Sequence, residues 1–472
     1  MNRRNTTGLS AQSGLRRTIL LTSLAAAAVM GCSSAKTLQG ASDKALAQLD
    51  FRQVVQSAKD KVFPAVVYIK AIRETYESGL KSSQEVGGSG VIISSKGELL
   101  TNWHVVDKAT EIRCLLYNGQ AYNAKIVGSD KDTDLALLQL DLPADKTVPC
   151  AQLGDSTRLK EGDFVMAMGA PWGLSRSVSI GIIACTTRFL PEQSEYSLWL
   201  QTDASISPGN SGGPLVNTEG KVIGLNARGI MIGGDMGFAI PSETIAHIVA
   251  QLREYGKVNW SWTGLQLQPL KNFDKNIYFE GDEGVIVGET DPESPARLAG
   301  IQQRDRILKV NGRPVQAVWA ENLPALRREM GLLPKFKPVE LAVQRGDQVV
   351  TIRLEPREKG KVEGEELDCP RWDMTVKSIN QFNNPDLYFH SKKGVFIFGI
   401  KSPGNANNAG LQTQDIILKI DGKEVATLED VKAIHKQAIA NVGEKYRTVF
   451  TVIRDGLSRQ IVLDFSRDYQ KE

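Results

Sequence analysis

The sequence predicts a multidomain, mainly β chain in which a pair of all-β barrels or sandwiches precedes two copies of one α+β module. Three observations carry this expectation. Short β-branched and aliphatic runs recur between Gly, Asp and Asn turns from Ala65 onward. The first long helical periodicity comes late, at Ser242 to Tyr255, where Ile245, Ile248, Val249 and Leu252 share one face. Beyond it the chain repeats itself. Ala299-Gly300-Ile301-Gln302 followed by Asp305-Arg306-Ile307-Leu308-Lys309-Val310-Asn311-Gly312 reappears as Ala409-Gly410-Leu411-Gln412 followed by Asp415-Ile416-Ile417-Leu418-Lys419-Ile420-Asp421-Gly422. At 472 residues the chain is too long for one ordinary domain of about 100 to 200 residues. Its net charge of +3 is small and its basic residues are interleaved with acidic ones, which argues against a nucleic-acid partner.

Taken in order, the chain opens with Arg3, Arg4, Arg16 and Arg17 ahead of an apolar run from Ile19 to Met30. That run is the length of a signal-peptide core and too short to span a bilayer. Val29-Met30-Gly31-Cys32-Ser33-Ser34 resembles the bacterial lipobox, in which the Cys is diacylated and becomes the mature N-terminus. Residues 1–31 are therefore expected to be a lipoprotein signal peptide, Cys32 the lipidation site and 32–50 a polar tether. Ser33, rather than Asp, after Cys32 resembles outer-membrane sorting. The β-rich domain spans 51–256, with strand candidates including Ala65 to Ala71, Leu135 to Leu140, Phe164 to Met168 and Val222 to Asn226, and the Ser242 helix closes it. The two modules span 260–357 and 371–470, with a linker at 358–370. Each carries an Asn-Gly or Asp-Gly turn, a helix (Ala320 to Met330; Leu428 to Ala440) and a strand pair turned at Arg345-Gly346-Asp347 or Arg454-Asp455-Gly456. Besides Cys32 there are Cys114, Cys150, Cys185 and Cys369, whose pairing or freedom the spacing leaves open. Neither CxxC nor Cys/His spacing occurs, so neither a metal nor a cofactor is expected.

The strongest chemical signal is Gly209-Asn210-Ser211-Gly212-Gly213-Pro214-Leu215. A Ser between glycines permits a sharp turn whose backbone N–H groups converge on one point, and such a nest can hold a developing oxyanion. Taken alone, it is equally a Gly-rich turn with a passive Ser. A nucleophile needs a base, and the chain holds only His104, His247, His390 and His435. His247 falls inside the closing helix and the last two fall in the repeated modules, which leaves His104, at the end of Leu99-Leu100-Thr101-Asn102-Trp103. The third member must be a carboxylate that holds the imidazole tautomer. Asp134 opens the strand Leu135-Ala136-Leu137-Leu138, whereas Asp130 and Asp132 precede it in a turn, where capping suits them. The chain order His, Asp, Ser is that of chymotrypsin.

The stretches Gly88 to Ile93, Leu100 to Val106, Thr133 to Leu138, Leu153-Gly154-Asp155-Ser156, Gln201-Thr202-Asp203-Ala204, Gly209 to Leu215 and Gly237-Phe238-Ala239-Ile240-Pro241 resemble those of the HtrA/Deg serine proteases. The paired modules resemble that family's PDZ domains. The resemblance implies a chymotrypsin-like double β-barrel followed by two PDZ-like α+β domains. It further implies an ATP-independent endopeptidase of the cell envelope, periplasm-facing and homotrimeric or larger, that degrades unfolded or damaged proteins. By carry-over, Ser211 attacks the peptide carbonyl, His104 is base then acid, Asp134 orients it, and the N–H groups of Gly209 and Ser211 form the oxyanion hole.

Specificity follows from nearby positions. The Asp that trypsin-like enzymes place six residues before the nucleophile is Ser205 here, which disfavours cleavage after basic residues. Ile206 resembles the family's pocket-lining aliphatic, suiting Val or Ala before the scissile bond. Gly229 stands where some relatives carry a larger residue, which predicts a wider pocket. Trp262-Thr263-Gly264-Leu265 resembles the family's carboxylate-binding loop, with Thr263 in place of an apolar residue. The expected partners are thus unfolded chains and exposed C-termini, captured by strand addition. Asp373 in Trp372-Asp373-Met374 would repel a peptide carboxylate and predicts weak binding by the second module. The competing reading is a membrane-tethered PDZ scaffold or holding chaperone with an idle protease domain.

Overall fold

A computed structural model describes residues 50–171, 176–190, 195–230, 236–272, 275–360, 364–469 and 471. The expected signal peptide and Cys32 lie outside the described residues. The chain divides into two compact units, Met1–Ser57 and Ala58–Glu472, and the second carries both barrels and both modules.

Twelve antiparallel strands build two closed barrels. The first holds β1 (Val66–Thr75), β2 (Ser82–Ile92), β3 (Glu98–Asn102), β4 (Ala109–Leu115), β5 (Ala121–Asp130) and β6 (Leu135–Leu140), in the spatial order β1-β2-β3-β6-β5-β4. The second holds β7 (Phe164–Gly169), β8 (Ser177–Arg188), β9 (Trp199–Thr202), β10 (Pro214–Asn217), β11 (Val222–Ile230) and β12 (Met236–Pro241), in the order β10-β11-β12-β9-β8-β7. Closure leaves no edge for aggregation. Leu135 to Leu138 are all buried, because one face of β6 points into the barrel while the helix Ser242–Tyr255 packs across β5 and β6. Each fully buried leucine contributes about 1.5–3 kcal/mol.

The helix bounds Ser242–Tyr255 and Leu428–Ala440 coincide with the sequence expectation. Gly256 ends the first in a left-handed conformation, φ +69°, and a Thr427–Asp430 capping box starts the second. The helix Phe51–Val62 was missed, although Val54, Val55, Ala58 and Val62 carry helical spacing.

The repeat has a structural cause. In the first module Asp305 accepts from the Gln302 N–H and binds Arg345 in a fork at 2.8 and 2.6 Å, and Arg345 also donates to the Gly300 carbonyl. In the second, Asp415, Gln412, Arg454 and Gly410 repeat every one of these bonds. The repeated sequence is therefore a buried carboxylate, the turn it caps and the arginine that neutralises it.

The modules differ at one edge. The first module's sheet begins with Leu265–Gln268, which among the described residues pairs on one side only, with Val285–Thr290. The corresponding strand of the second, Met374–Ser378, pairs with Val395–Ile400 and also with Glu366–Cys369. Residues 366–369, expected as linker, are thus a strand of the second module. Glu366 is nearly buried between Lys108 of the first barrel (2.6 Å) and Lys377 (3.0 Å), which compensates its charge. All four described cysteines are free thiols, Cys114 and Cys369 buried and Cys150 exposed. Burial pushes the Cys114 thiol up to about 12.

Candidate active site

The crevice between the barrels gathers the residues singled out by the sequence. β3 delivers His104 on the short helix Trp103–Val106, and the turn into β6 delivers Asp134. Register fixes both: Asn102 pairs with Leu135, the Trp103 N–H donates to the Asp134 carbonyl at 3.0 Å, and Asn102 Nδ2 donates to the same oxygen. His104 Nδ1 lies 2.9 Å from both carboxylate oxygens of Asp134, and the His104 N–H donates to Oδ1 at 3.1 Å. The Asp134 side chain is 3% exposed and that of His104 34%, so the carboxylate is sheltered while the imidazole reaches the crevice. A carboxylate at Nδ1 fixes the tautomer that leaves Nε2 as the basic atom.

Asp130 caps the turn, as expected, whereas Asp132 pairs with Lys359 at 2.9 Å. Asp130 Oδ2 accepts from the Thr133 N–H and Oγ, and burial, with the nearby Asp132, pushes its carboxyl up to about 6.

Ser211 enters from the second barrel at the start of β10. Ser207-Pro208-Gly209-Asn210 closes a turn through the Asn210 N–H and the Ser207 carbonyl, 3.0 Å. Pro second and a positive-φ Gly third, here Gly209 at +97°, is the type II signature. Among the described residues, neither the Gly209 nor the Ser211 N–H takes part in a backbone bond. Gly212 is required by close approach, since a Cβ there would stand 2.2 Å from the Ser89 carbonyl oxygen.

Ser89 ties this loop to the first barrel, a role that sequence reasoning missed. Its Oγ donates to the Gly209 carbonyl and accepts from the Ala170 N–H, its N–H donates to the Ser211 carbonyl at 2.8 Å, and its own carbonyl accepts from Thr101 Oγ1. A methyl group on the neighbouring Gly88 would touch Val105, one residue past His104, at 2.6 Å and the Ser211 carbonyl at 3.4 Å. The base-bearing and nucleophile-bearing segments thus flank a single α-carbon. The Ser211 hydroxyl itself donates to the Ala227 carbonyl at 3.1 Å, and among the described residues it makes no hydrogen bond to His104.

Ile206 is buried in the second barrel's core with its Cδ1 against Gly237, and Ser205 gives its carbonyl to Ser179 Oγ. The extra width expected at Gly229 is absent, because the Ile206 carbonyl oxygen fills that space, 2.3 Å from where a Cβ would stand.

In the first module Trp262, Thr263, Gly264 and Leu265 line a cavity of about 350 Å³ together with Met330 of the helix Leu323–Gly331. Trp262 Nε1 donates to Asp291, and Gly264, φ +72°, lies so close to Ser294 that a Cβ would stand 2.1 Å from it. In the second module Asp373 does not face a ligand. It is 1% exposed and its Oδ2 caps the Asn405 N–H at 3.0 Å, which corrects the expected repulsive role.

Comparison with known proteins agrees with this geometry. The family model described as a trypsin-like peptidase domain matches residues 88–225, and that of a PDZ domain matches 286–330. A probable periplasmic serine endoprotease DegP-like of Marinomonas sp. is 36% identical over 357 residues, 74% of each chain. The periplasmic serine endoprotease DegP of Escherichia coli (strain K12) is 32% identical over 356 residues, 74% of this chain and 71% of the relative. Among solved structures, the HtrA-type protease AlgW with tripeptide matches at 30% identity and a TM-score of 0.57, covering 65% of this chain and 97% of AlgW. A mainly β double-barrel enzyme with a PDZ repeat and relatives of this extent has one assignment: the chain belongs to the HtrA/DegP family of PDZ-containing serine endoproteases.

Proposed function

We propose that this chain is an ATP-independent protease of the periplasm-facing cell envelope, anchored through lipid on Cys32, that degrades unfolded or damaged polypeptides as a homotrimer or larger assembly. The observation that carries the catalytic part is the 2.9 Å contact of His104 Nδ1 with Asp134 on the barrel to which Ser89 ties the Ser211 loop. Ser211 Oγ attacks the scissile carbonyl while His104 Nε2 takes its proton. The tetrahedral oxyanion forms against the N–H groups of Gly209 and Ser211, and the imidazolium returns the proton to the leaving amine. Water then repeats the sequence on the acyl-enzyme. The acid/base step supplies about a hundred- to ten-thousandfold in rate, and one oxyanion donor about a hundred- to a thousandfold. Ile206 shapes a pocket for small aliphatic side chains.

The Trp262–Leu265 loop receives C-termini, with the peptide adding to the free edge of Leu265–Gln268. The second module binds C-termini weakly because Glu366–Cys369 already takes that place. The test is labelling by a fluorophosphonate probe together with cleavage-site mapping on casein. Both are expected in the soluble form beginning after Cys32, and both should fall by at least about a thousandfold in Ser211→Ala. Persistent labelling of Ser211→Ala would refute the assignment of the nucleophile. Absence of labelling in the unmutated chain, with activating C-terminal peptide supplied, would favour the idle-domain reading.

A further inference from the structure

Asp134 is a non-glycine residue at φ +56°. Such a conformation costs of order 1–3 kcal/mol and persists only where the surroundings over-determine it. Part of what determines it is local: the Asp134 N–H donates to the Lys131 carbonyl and Thr133 is bound to Asp130. Two further carboxylate oxygens of the turn are held from outside the protease domain. Trp260 Nε1 donates to Asp130 Oδ1 at 2.9 Å, and Lys359 Nζ pairs with Asp132 Oδ2 at 2.9 Å.

Those two residues are the entry to and exit from the first module. They are zipped together by the pairing of Ser261–Trp262 with Arg357–Glu358 and by the bond from the Lys359 N–H to the Trp260 carbonyl, 3.0 Å. Neither is a loose surface group. Trp260 is 4% exposed and stacks on Tyr196 with ring centroids 4.1 Å apart. The Lys359 side chain is 10% exposed and reaches the Tyr196 hydroxyl at 3.3 Å. Burial alone would lower the Lys359 ammonium, but Tyr196 and Asp132 outweigh it and hold the charge in place. The groove helix Leu323–Gly331 closes against the same stack, since a methyl on Gly331 would stand 2.7 Å from the Trp260 ring.

We propose that Trp260 and Lys359, which flank the two strands of this neck, are positioning residues for catalysis: through Asp130 and Asp132 they hold the turn that presents Asp134 to His104. This rests on the triad assignment above. Displacing the neck relaxes the turn, Asp134 loses its aim, and the imidazolium of the transition state loses its counter-ion. A misplacement of about 1 Å at a catalytic group can cost about a hundredfold.

The test uses the full soluble chain with three substitutions. Trp260→Phe removes only the indole donor, Lys359→Met removes the charge and keeps the aliphatic stem, and Lys359→Arg restores the charge. Rates of fluorophosphonate labelling, and kcat and KM for a peptide substrate, are measured beside the melting temperature. The first two variants should each label about tenfold more slowly. Their kcat should fall by a similar factor with KM within about twofold of the parent, because Asp134 acts on the transition state and not on ground-state binding. Lys359→Arg should restore labelling and kcat to within about twofold of the parent. Unchanged labelling and kcat in both variants would overturn the proposal, as would a lowered melting temperature with kcat per folded enzyme unchanged. Labelling that survives Ser211→Ala would instead sink the triad assignment, so the two failures are distinguishable.

Discussion

The two PDZ-like modules share one frame and differ in what lies beside the ligand strand. In the first, Leu265–Gln268 has one strand neighbour among the described residues and lines a cavity. In the second, Met374–Ser378 is covered by Glu366–Cys369, the segment that leads into its own loop. That segment runs antiparallel to its partner, with Cys369 buried in the core, and the Pro370 carbonyl accepts from His435 Nε2 on the flanking helix at 2.5 Å. A duplicated fold has therefore kept one receptor open and filled the other with its own chain. The lesson is that a repeat fixes the core and leaves the edge free to diverge.

The largest expected effect breaks the comparison outright if it fails. Titration of the chain with a peptide ending in a free carboxylate should show one site per chain. Gly264→Val, strained at positive φ and driven into Ser294, should weaken that site about tenfold to a hundredfold. Two sites in the parent would refute the filled groove. Next, Leu367→Asn should loosen the covering strand, whose Leu367 packs on the second core, and raise the stoichiometry toward two. No second site after demonstrable loosening by hydrogen exchange would show that the groove is unfit for ligand even when vacant.

Smaller effects sharpen the likeness between the modules. Arg345→Met and Arg454→Met each strand a buried Asp and should cost about 3–5 kcal/mol by denaturant unfolding. The loss should be greater for Arg454, whose side chain is 16% exposed against 38% for Arg345. Equal and negligible losses would remove the shared ion pair from the account. The smallest effect is one of pH. Burial holds the His435 imidazole below its ordinary value, despite the opposing bond to Pro370. Its neutral form therefore contributes stability above about pH 6.5 that is lost as pH falls through the lower folded value. Amides of Glu366–Cys369 should exchange faster at pH 5.5 than at 7.5 after correction for intrinsic rates, while those of Leu265–Gln268, beside a helix without His, should not differ. The reverse trend would exclude His435 as the clasp.

Much of this architecture was legible in the residues because its signals are local. Capping residues bound the Ser242 and Leu428 helices, the repeat announced the modules, and the position of Asp134 before an apolar strand placed it opposite His104. What escaped depends on distant partners. Glu366-Leu367-Asp368-Cys369 carries little strand propensity, and its charge is compensated by Lys108, 258 positions away. Asp373 read as an exposed charge because nothing near it in sequence reveals Asn405. Ser89 lies in a plain Gly-Ser-Gly strand, and its bonds to Gly209, Ala170 and Ser211 exist only once the barrels meet. The room inferred at Gly229 vanished for the same reason, since backbones close up where a side chain is missing.

Because Pro370 joins the covering strand directly to the loop it feeds, that strand competes as a tethered ligand. Short tethers present their cargo at roughly millimolar effective concentration, so a diffusing peptide at about micromolar concentration starts at about a thousandfold disadvantage. On the function proposed above, the second groove is deaf to dilute C-termini and answers only to a polypeptide already held elsewhere on the same chain.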